Sequence, residues 1–274
     1  MAKFMIGIDL GGTTTDLVAF KGDRMLAPVS VRASDPITSA AGALGKFIQQ
    51  EGLSLADVAG VGMTGVGSTF FTDHLLGLPL QKISEFEAIG RGGQFLSKES
   101  KALVVSMGTG TALVRVDGAH IDHAGGSGIG GGTLMGLSHK MLGISDLDLL
   151  QELAEKGDLR KVDLLVGDIV NGNIDGLPDD LTASNFGKCK DSAKPEDFAL
   201  AILNMIFQSA GVLANAHAMA YDTNKIILTG KLPTLGYAAS VFDKLSQLYG
   251  RSYIVPKHAE VATAIGAAKI VGQN

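Results

Sequence analysis

Two acidic residues and the glycine turns around them carry the chemistry open to this chain. Asp9 lies in Met5-Ile6-Gly7-Ile8-Asp9-Leu10-Gly11-Gly12-Thr13-Thr14-Thr15-Asp16. The apolar run Phe4 to Ile8 predicts a buried strand. It ends in a carboxylate, a Gly-Gly turn and hydroxyls, and a second strand follows at Leu17 to Phe20. Backbone N–H groups of a glycine turn approach an anion closely because no Cβ intervenes. A carboxylate at the strand end can hold hydrated Mg²⁺ beside that anion. The stretch therefore reads as a triphosphate cradle, or, more plainly, as a tight hairpin with an ordinary turn aspartate.

Glu85 is the second organising carboxylate. An extended segment, Pro79 to Ser84, delivers it to the start of a helix running from Phe86 through Leu96. It either faces a cleft or simply favours the helix dipole. Further on, Ala102 to Val114 repeats the opening pattern, with Gly108-Thr109-Gly110-Thr111 as its turn. Gly11 corresponds to Gly108, Thr14 to Thr111 and Leu17 to Val114, so the chain reads as two related halves offering phosphate hairpins to one cleft. A third glycine run, Gly125 to Thr133, is expected as a loop that opens a helix over Leu134 to Leu142, where N–H donors and the dipole suit an anion.

These residues need scaffolding, and the sequence supplies it. A helix is expected from Ser34-Asp35-Pro36 to Gly52, a strand over Val58 to Met63 with the glycine-rich exit Thr64 to Ser68, and a third strand over Arg24 to Val31. Leu147 to Lys156 and Val162 to Val170 read as helices and Asn171 to Asp180 as a loop. Pro195 opens a long helix to Tyr221, about 40 Å at 1.5 Å per residue, with His217 as a core or interface histidine. A strand at Lys225 to Thr229, a helix at Leu235 to Leu248 and a final helix at Ala259 to Val271 close the chain. Small residues at Gly230 and Ala264-Ile265-Gly266-Ala267 leave flat space for an adenine ring or serve helix packing.

Composition narrows the partners. With 274 residues, 46% hydrophobic and 19% charged, the chain can build two subdomains, expected over residues 1–100 and 101–274. A net charge of -5 without a basic run argues against nucleic acid. No uninterrupted apolar stretch reaches the roughly 18 residues that span a bilayer, and no signal peptide is recognisable, so no membrane partner is expected. A single cysteine, Cys189, rules out an internal disulfide and fits a cytoplasmic location.

Asp9-Leu10-Gly11-Gly12-Thr13-Thr14, Gly108-Thr109-Gly110-Thr111 and Ile227-Leu228-Thr229-Gly230 resemble the actin/hexokinase superfamily. Within it the chain is similar to the type II pantothenate kinases, through Ile6 to Thr13, Glu85-Phe86-Glu87-Ala88, Gly130-Gly131-Gly132-Thr133 and above all Leu181-Thr182-Ala183-Ser184-Asn185-Phe186-Gly187. The resemblance implies an α/β fold of two ribonuclease H-like subdomains around an ATP cleft. It implies a homodimer that phosphorylates pantothenate with ATP and Mg²⁺. Glu85 would be general base and Asp9 the metal-steering residue. The nucleotide would lie on Asp9, Gly11, Gly12, Thr13, Thr14, Thr15, Asp16, Gly108, Thr109, Gly110, Gly131, Gly132, Thr133, Leu134, Met135 and Lys231. Two departures stand out. His123 falls where the family carries an arginine, so it is counted with the catalytic residues. Lys231 stands where the family has a small hydroxyl residue. The first keeps another hydroxyl substrate, or a nucleotide-binding sensor, as alternatives, and the second bears on the adenosine contacts. An ATPase activator on the same fold fits less well, because such proteins carry cysteines for an iron–sulfur cluster.

Overall fold

The computed structural model describes residues 3–170 and 177–272. The first half contributes β1 (Phe4–Leu10), β2 (Thr14–Lys21), β3 (Arg24–Met25), β4 (Val29–Arg32), α1 (Pro36–Glu51), β5 (Val58–Thr64), β6 (His74–Leu75), β7 (Leu78–Lys82) and α2 (Glu85–Ser97). The second contributes β8 (Lys101–Met107), β9 (Thr111–Asp117), β10 (His120–Ser127), α3 (Gly131–Leu142), α4 (Leu147–Ala154), β11 (Leu164–Leu165), α5 (Val166–Ile169), β12 (Thr182–Ser184), α6 (Pro195–Ala220), β13 (Lys225–Thr229), α7 (Gly236–Tyr249), β14 (Ser252–Ile254) and α8 (Ala262–Val271).

The two large sheets share one plan. The first runs β3-β2-β1-β5-β7-β6, with β4 also on β2, and the second runs β10-β9-β8-β13-β14. In each, an antiparallel hairpin is followed by parallel strands: β1 pairs β2 antiparallel and β5 parallel, and β8 pairs β9 antiparallel and β13 parallel. Ligands of such sheets gather outside the carboxyl ends of the parallel strands. Here β1, β5, β8 and β13 end in Asp9 to Leu10, Thr64, Ser106 to Met107 and Thr229. Leu10 pairs with Thr15 in the first hairpin and Met107 with Thr111 in the second, so the second turn is one residue tighter.

The helices do not stay with their own halves. The last helix, α8, packs on the first sheet, where Ala264, Ile265 and Ala268 join Val18 and Phe20 in one buried cluster. Helix α2 crosses to the second sheet, where Ile89 is buried with Val104, Val114 and Ile227. The two helices meet closely. A Cβ on Gly92 would sit 1.9 Å from the Ala262 carbonyl oxygen, and one on Gly266 would sit 1.9 Å from that of Ala88. Small residues at 264–267 therefore serve helix packing, and the adenine alternative for them falls away.

Several elements differ from expectation. Val162 to Val170 is not one helix, because Asp163 turns inward to accept from Phe186 N and the Asn204 side chain, leaving only the short β11 and α5. Pro28 splits the expected third strand into β3 and β4, since proline cannot donate to a ladder. Gly125 to Ser127 are strand rather than loop, pairing with β9 after a register shift at His123. Residues 171–176 of the expected loop lie outside the described residues. Helix α6 is long and apolar enough to cross a membrane by length and composition, but 67% of its most apolar window is buried in the protein. Leu203, Ile206, Phe207 and Ala210 form part of the core of the second half.

Candidate active site

The two hairpin turns come together across the cleft. A Cβ on Gly12 would touch the Thr109 hydroxyl at 3.4 Å. Gly11 N closes the first turn onto Thr14 O at 3.1 Å, and Gly108 N closes the second onto Gly110 O at 2.9 Å. Among the described residues the N–H groups of Gly12, Thr13, Thr109 and Gly110 make no hydrogen bond. Four free amides on two abutting turns suit phosphate oxygens, which accept such donors strongly.

A cavity of about 440 Å³ adjoins them, within the range of small-molecule sites. Its walls hold Asp9, Gly11 to Thr14, Asp16, Gly108, Thr109, Gly131, Leu134, Met135 and Lys231. Met107, Leu134, Met135, Leu147 and Leu232 give it an apolar lining, and Gly230 lines it too. Ser106, Ser145, Glu260 and Thr263 also line it and carried no signal in the sequence beyond their places at strand exits and helix starts. A larger cavity, about 850 Å³, lies elsewhere, between α6, α7 and residues 177–182.

Other expected residues take different places. Thr15 is buried behind the turn and lines a second pocket with Ala33, Pro36 and Phe70. The N–H groups of Gly131 and Gly132 are spent on Gly108 O at 2.8 Å and Thr109 O at 2.9 Å. The start of α3 thus braces the second hairpin instead of offering those two donors to a ligand. Thr133 likewise turns its hydroxyl to Gly128 O at 3.0 Å.

Asp9 sits at the end of β1 in register with Thr64 of β5. Gly65 follows with φ +85°, and a Cβ there would lie 2.6 Å from Asp9 Oδ1. Glycine is required at that position both for the left-handed backbone and for the room it leaves the carboxylate. Burial, with repulsion from Asp16 and Glu85, pushes the Asp9 carboxyl up to about 7, and Lys231 opposes the rise. Glu85, the first residue of α2, is thus electrostatically coupled to Asp9 while its own side chain is exposed. The next residue, Phe86, stacks on His123 with ring centroids 3.9 Å apart and planes at 18°, so His123 stands beside the Glu85 end of α2.

Asp16 is a hub. It accepts from the Thr14 hydroxyl at 3.0 Å and from Ser30 Oγ, and Lys231 Nζ approaches it at 3.4 Å from the other half of the chain. The donor set fits a hard divalent cation. Asp9 is a carboxylate crowded by like charge, and the buried hydroxyl oxygen of the neighbouring Thr64 has no partner. Among the described residues no trio of His, Cys, Asp or Glu gathers as a metal cage. One carboxylate with water and phosphate oxygens is the arrangement Mg²⁺ usually takes.

Comparison with known proteins agrees with this geometry. The Fumble family profile matches residues 101–234. A Type II pantothenate kinase of Bacillus cereus is 32% identical over 196 residues, covering 67% of this chain and 66% of that protein. The chain thus spans about two thirds of that relative's length. A Type II pantothenate kinase of Staphylococcus aureus is 28% identical over 236 residues, covering 82% and 83%. Among solved structures, the activator of a 2-hydroxyisocaproyl-CoA dehydratase from Clostridium difficile with bound ADPNP superposes with a TM-score of 0.69 at 17% identity, covering 98% and 97%. A ROK family glucokinase of Streptomyces griseus, in complex with glucose and AMPPNP, gives 0.61 at 15% identity, covering 99% and 100%. At such identities the superpositions establish the two-lobed actin-like fold alone.

Proposed function

We propose that this chain, which belongs to the type II pantothenate kinase family of the actin/hexokinase superfamily, transfers the γ-phosphoryl group of ATP to the primary hydroxyl of pantothenate, opening coenzyme A synthesis in the cytoplasm. The observation that carries the reading is the pair of abutting glycine turns, with free amides at Gly12, Thr13, Thr109 and Gly110, beside a cavity walled by Asp9. Phosphoryl transfer asks a protein chiefly for alignment and charge neutralisation. The amides would hold the β- and γ-phosphates, and the apolar wall of Leu134, Met135, Leu147 and Leu232 would take the adenine.

Asp9 would hold Mg²⁺ through water, and that ion, when bound, would neutralise charge on the phosphate oxygens. Glu85 would accept the hydroxyl proton as the alcohol oxygen bonds to the γ-phosphorus and the bond to ADP breaks. Its place at the first turn of α2, coupled to Asp9, supports that role. His123, held against Phe86, would flank the incoming alcohol. A homodimer is proposed through the outer face of α6, where Val212 and Met219 are 43% and 61% exposed at heptad spacing.

A coupled ADP assay tests the reaction. Pantothenate-dependent ADP release is expected, and Glu85→Gln should lower kcat roughly 100-fold or more, the usual worth of a general base. ADP formed with a different small alcohol but not pantothenate would keep the kinase and remove the substrate. ATP binding without ADP from any alcohol would leave a nucleotide-binding sensor.

A further inference from the structure

Among the described residues, Lys231 is the sole lysine or arginine in the wall of the 440 Å³ cavity, which three carboxylates, Asp9, Asp16 and Glu260, also line. A triphosphate entering such a cavity meets net repulsion unless cations compensate it. The lysine follows β13 and Gly230 in the second half, yet its ammonium ends on the first hairpin. Nζ donates to Thr14 Oγ1 at 2.5 Å and lies 3.4 Å from Asp16 Oδ1, joining residues 217 and 215 positions apart. The lysine side chain remains 39% exposed while Asp16 is nearly buried, at 8%. One side of the ammonium is therefore fixed to the turn, and donors remain to face the cavity, since a lysine carries three.

We propose that Lys231 is a phosphate-binding residue of the nucleotide site, held ready by Thr14 and Asp16 to contact the terminal phosphates rather than the adenosine. The inference rests on the kinase reading of the cleft and assigns to the phosphates a residue that the family resemblance places only somewhere in the nucleotide site. Position decides the assignment. The ammonium is bonded to Thr14, beside the Gly12 and Thr13 amides of the first glycine turn. It also gives the site a cation where His123 is engaged in stacking on Phe86. Because Lys231 and Thr14 belong to different halves, a phosphate bound by both would tie the lobes together across the cleft.

The test compares ATP, ADP and AMP binding by calorimetry in Mg²⁺ buffer for the parent, Lys231→Met and Lys231→Arg, alongside the ADP-release assay. Lys231→Met is expected to weaken ATP binding roughly 10- to 100-fold, the scale of one lost charge-assisted hydrogen bond. AMP binding should stay within about twofold and Lys231→Arg should restore most of the ATP affinity, because a retained charge still reaches phosphate. Equal losses for ATP and AMP would mean that Lys231 only braces the fold, and unchanged ATP binding would mean that it does not touch phosphate. Either result overturns the proposal. Should Lys231→Met fail to fold, Lys231→Gln takes its place in the same titrations. Failure of the kinase reading shows separately, as a parent that binds ATP but releases no pantothenate-dependent ADP.

Discussion

Replacing Gly92 with alanine should destabilise the protein, although alanine is the better helix former. Gly92 is interior to α2, and in an open helix the exchange gains about 1 kcal/mol. Here the new Cβ would fall 1.9 Å from the carbonyl oxygen of Ala262, a backbone atom of α8 that no rotamer change can move. The crossing helices would have to part by about 1.5 Å to restore an ordinary carbon–oxygen contact. Overpacking of this kind costs about 1–3 kcal/mol and sometimes more. Taking the upper end against the propensity gain leaves a loss of about 2 kcal/mol. At about 2–4 °C per kcal/mol for a chain of this size, the apparent melting temperature should fall by about 4–8 °C. Gly45→Ala supplies the control. Gly45 lies in α1, is exposed and has nothing within 4 Å of its would-be Cβ, so the same exchange should raise the melting temperature. Because α2 begins at Glu85, parting the helices should also lower ADP release. Thermal scans of both variants decide the matter. If Gly92→Ala proves as stable as the parent or more so, the close crossing does not hold the lobes as described.

Two further perturbations reach other parts of the molecule. Asp197, 1% exposed, accepts from Lys194 N at 2.9 Å and Asp158 N at 2.8 Å, with Lys161 Nζ at 3.3 Å. Burial pushes its carboxyl up, but those amides and the lysine more than offset this and hold it below the usual carboxylate value. A depressed folded value gives stability that is present above the unfolded value, about 3.9, and lost as pH falls through the folded one. Asp197→Ala should therefore cost about 1–3 kcal/mol at pH 7 through its orphaned amides. In urea titrations its deficit should narrow below about pH 4, and a deficit independent of pH would contradict the assignment. Met219→Glu, placed on the exposed face of α6, should shift light scattering from a dimeric to a monomeric mass. A parent already monomeric at micromolar concentration would remove the dimer.

Local pattern carried much of the cleft. The alternation of a buried strand, a carboxylate and a glycine turn fixed both hairpins, because each is closed by bonds between near neighbours such as Gly11 N to Thr14 O. Asp35 capping α1 by accepting from Thr38 N at 2.8 Å, with Pro36 next to it, was legible for the same reason. The glycine run before α3 was legible as backbone freedom, but only folding shows that Gly131 and Gly132 give their N–H groups to the second hairpin while Gly131 still lines the cavity. Nor does periodicity say that 162–170 breaks so that Asp163 can meet Phe186 and Asn204.

What the sequence determined by itself is the pair of glycine-turn hairpins, the carboxylate at Asp9 and the helix that starts beside Glu85. What tertiary structure alone decided is who meets whom across the cleft: α8 on the first sheet, α2 on the second, His123 on Phe86, and Lys231 at Thr14. The physical reason is range. Turn geometry and capping are settled within a few residues, whereas an ammonium meeting a hydroxyl 217 positions away depends on every packed layer between them.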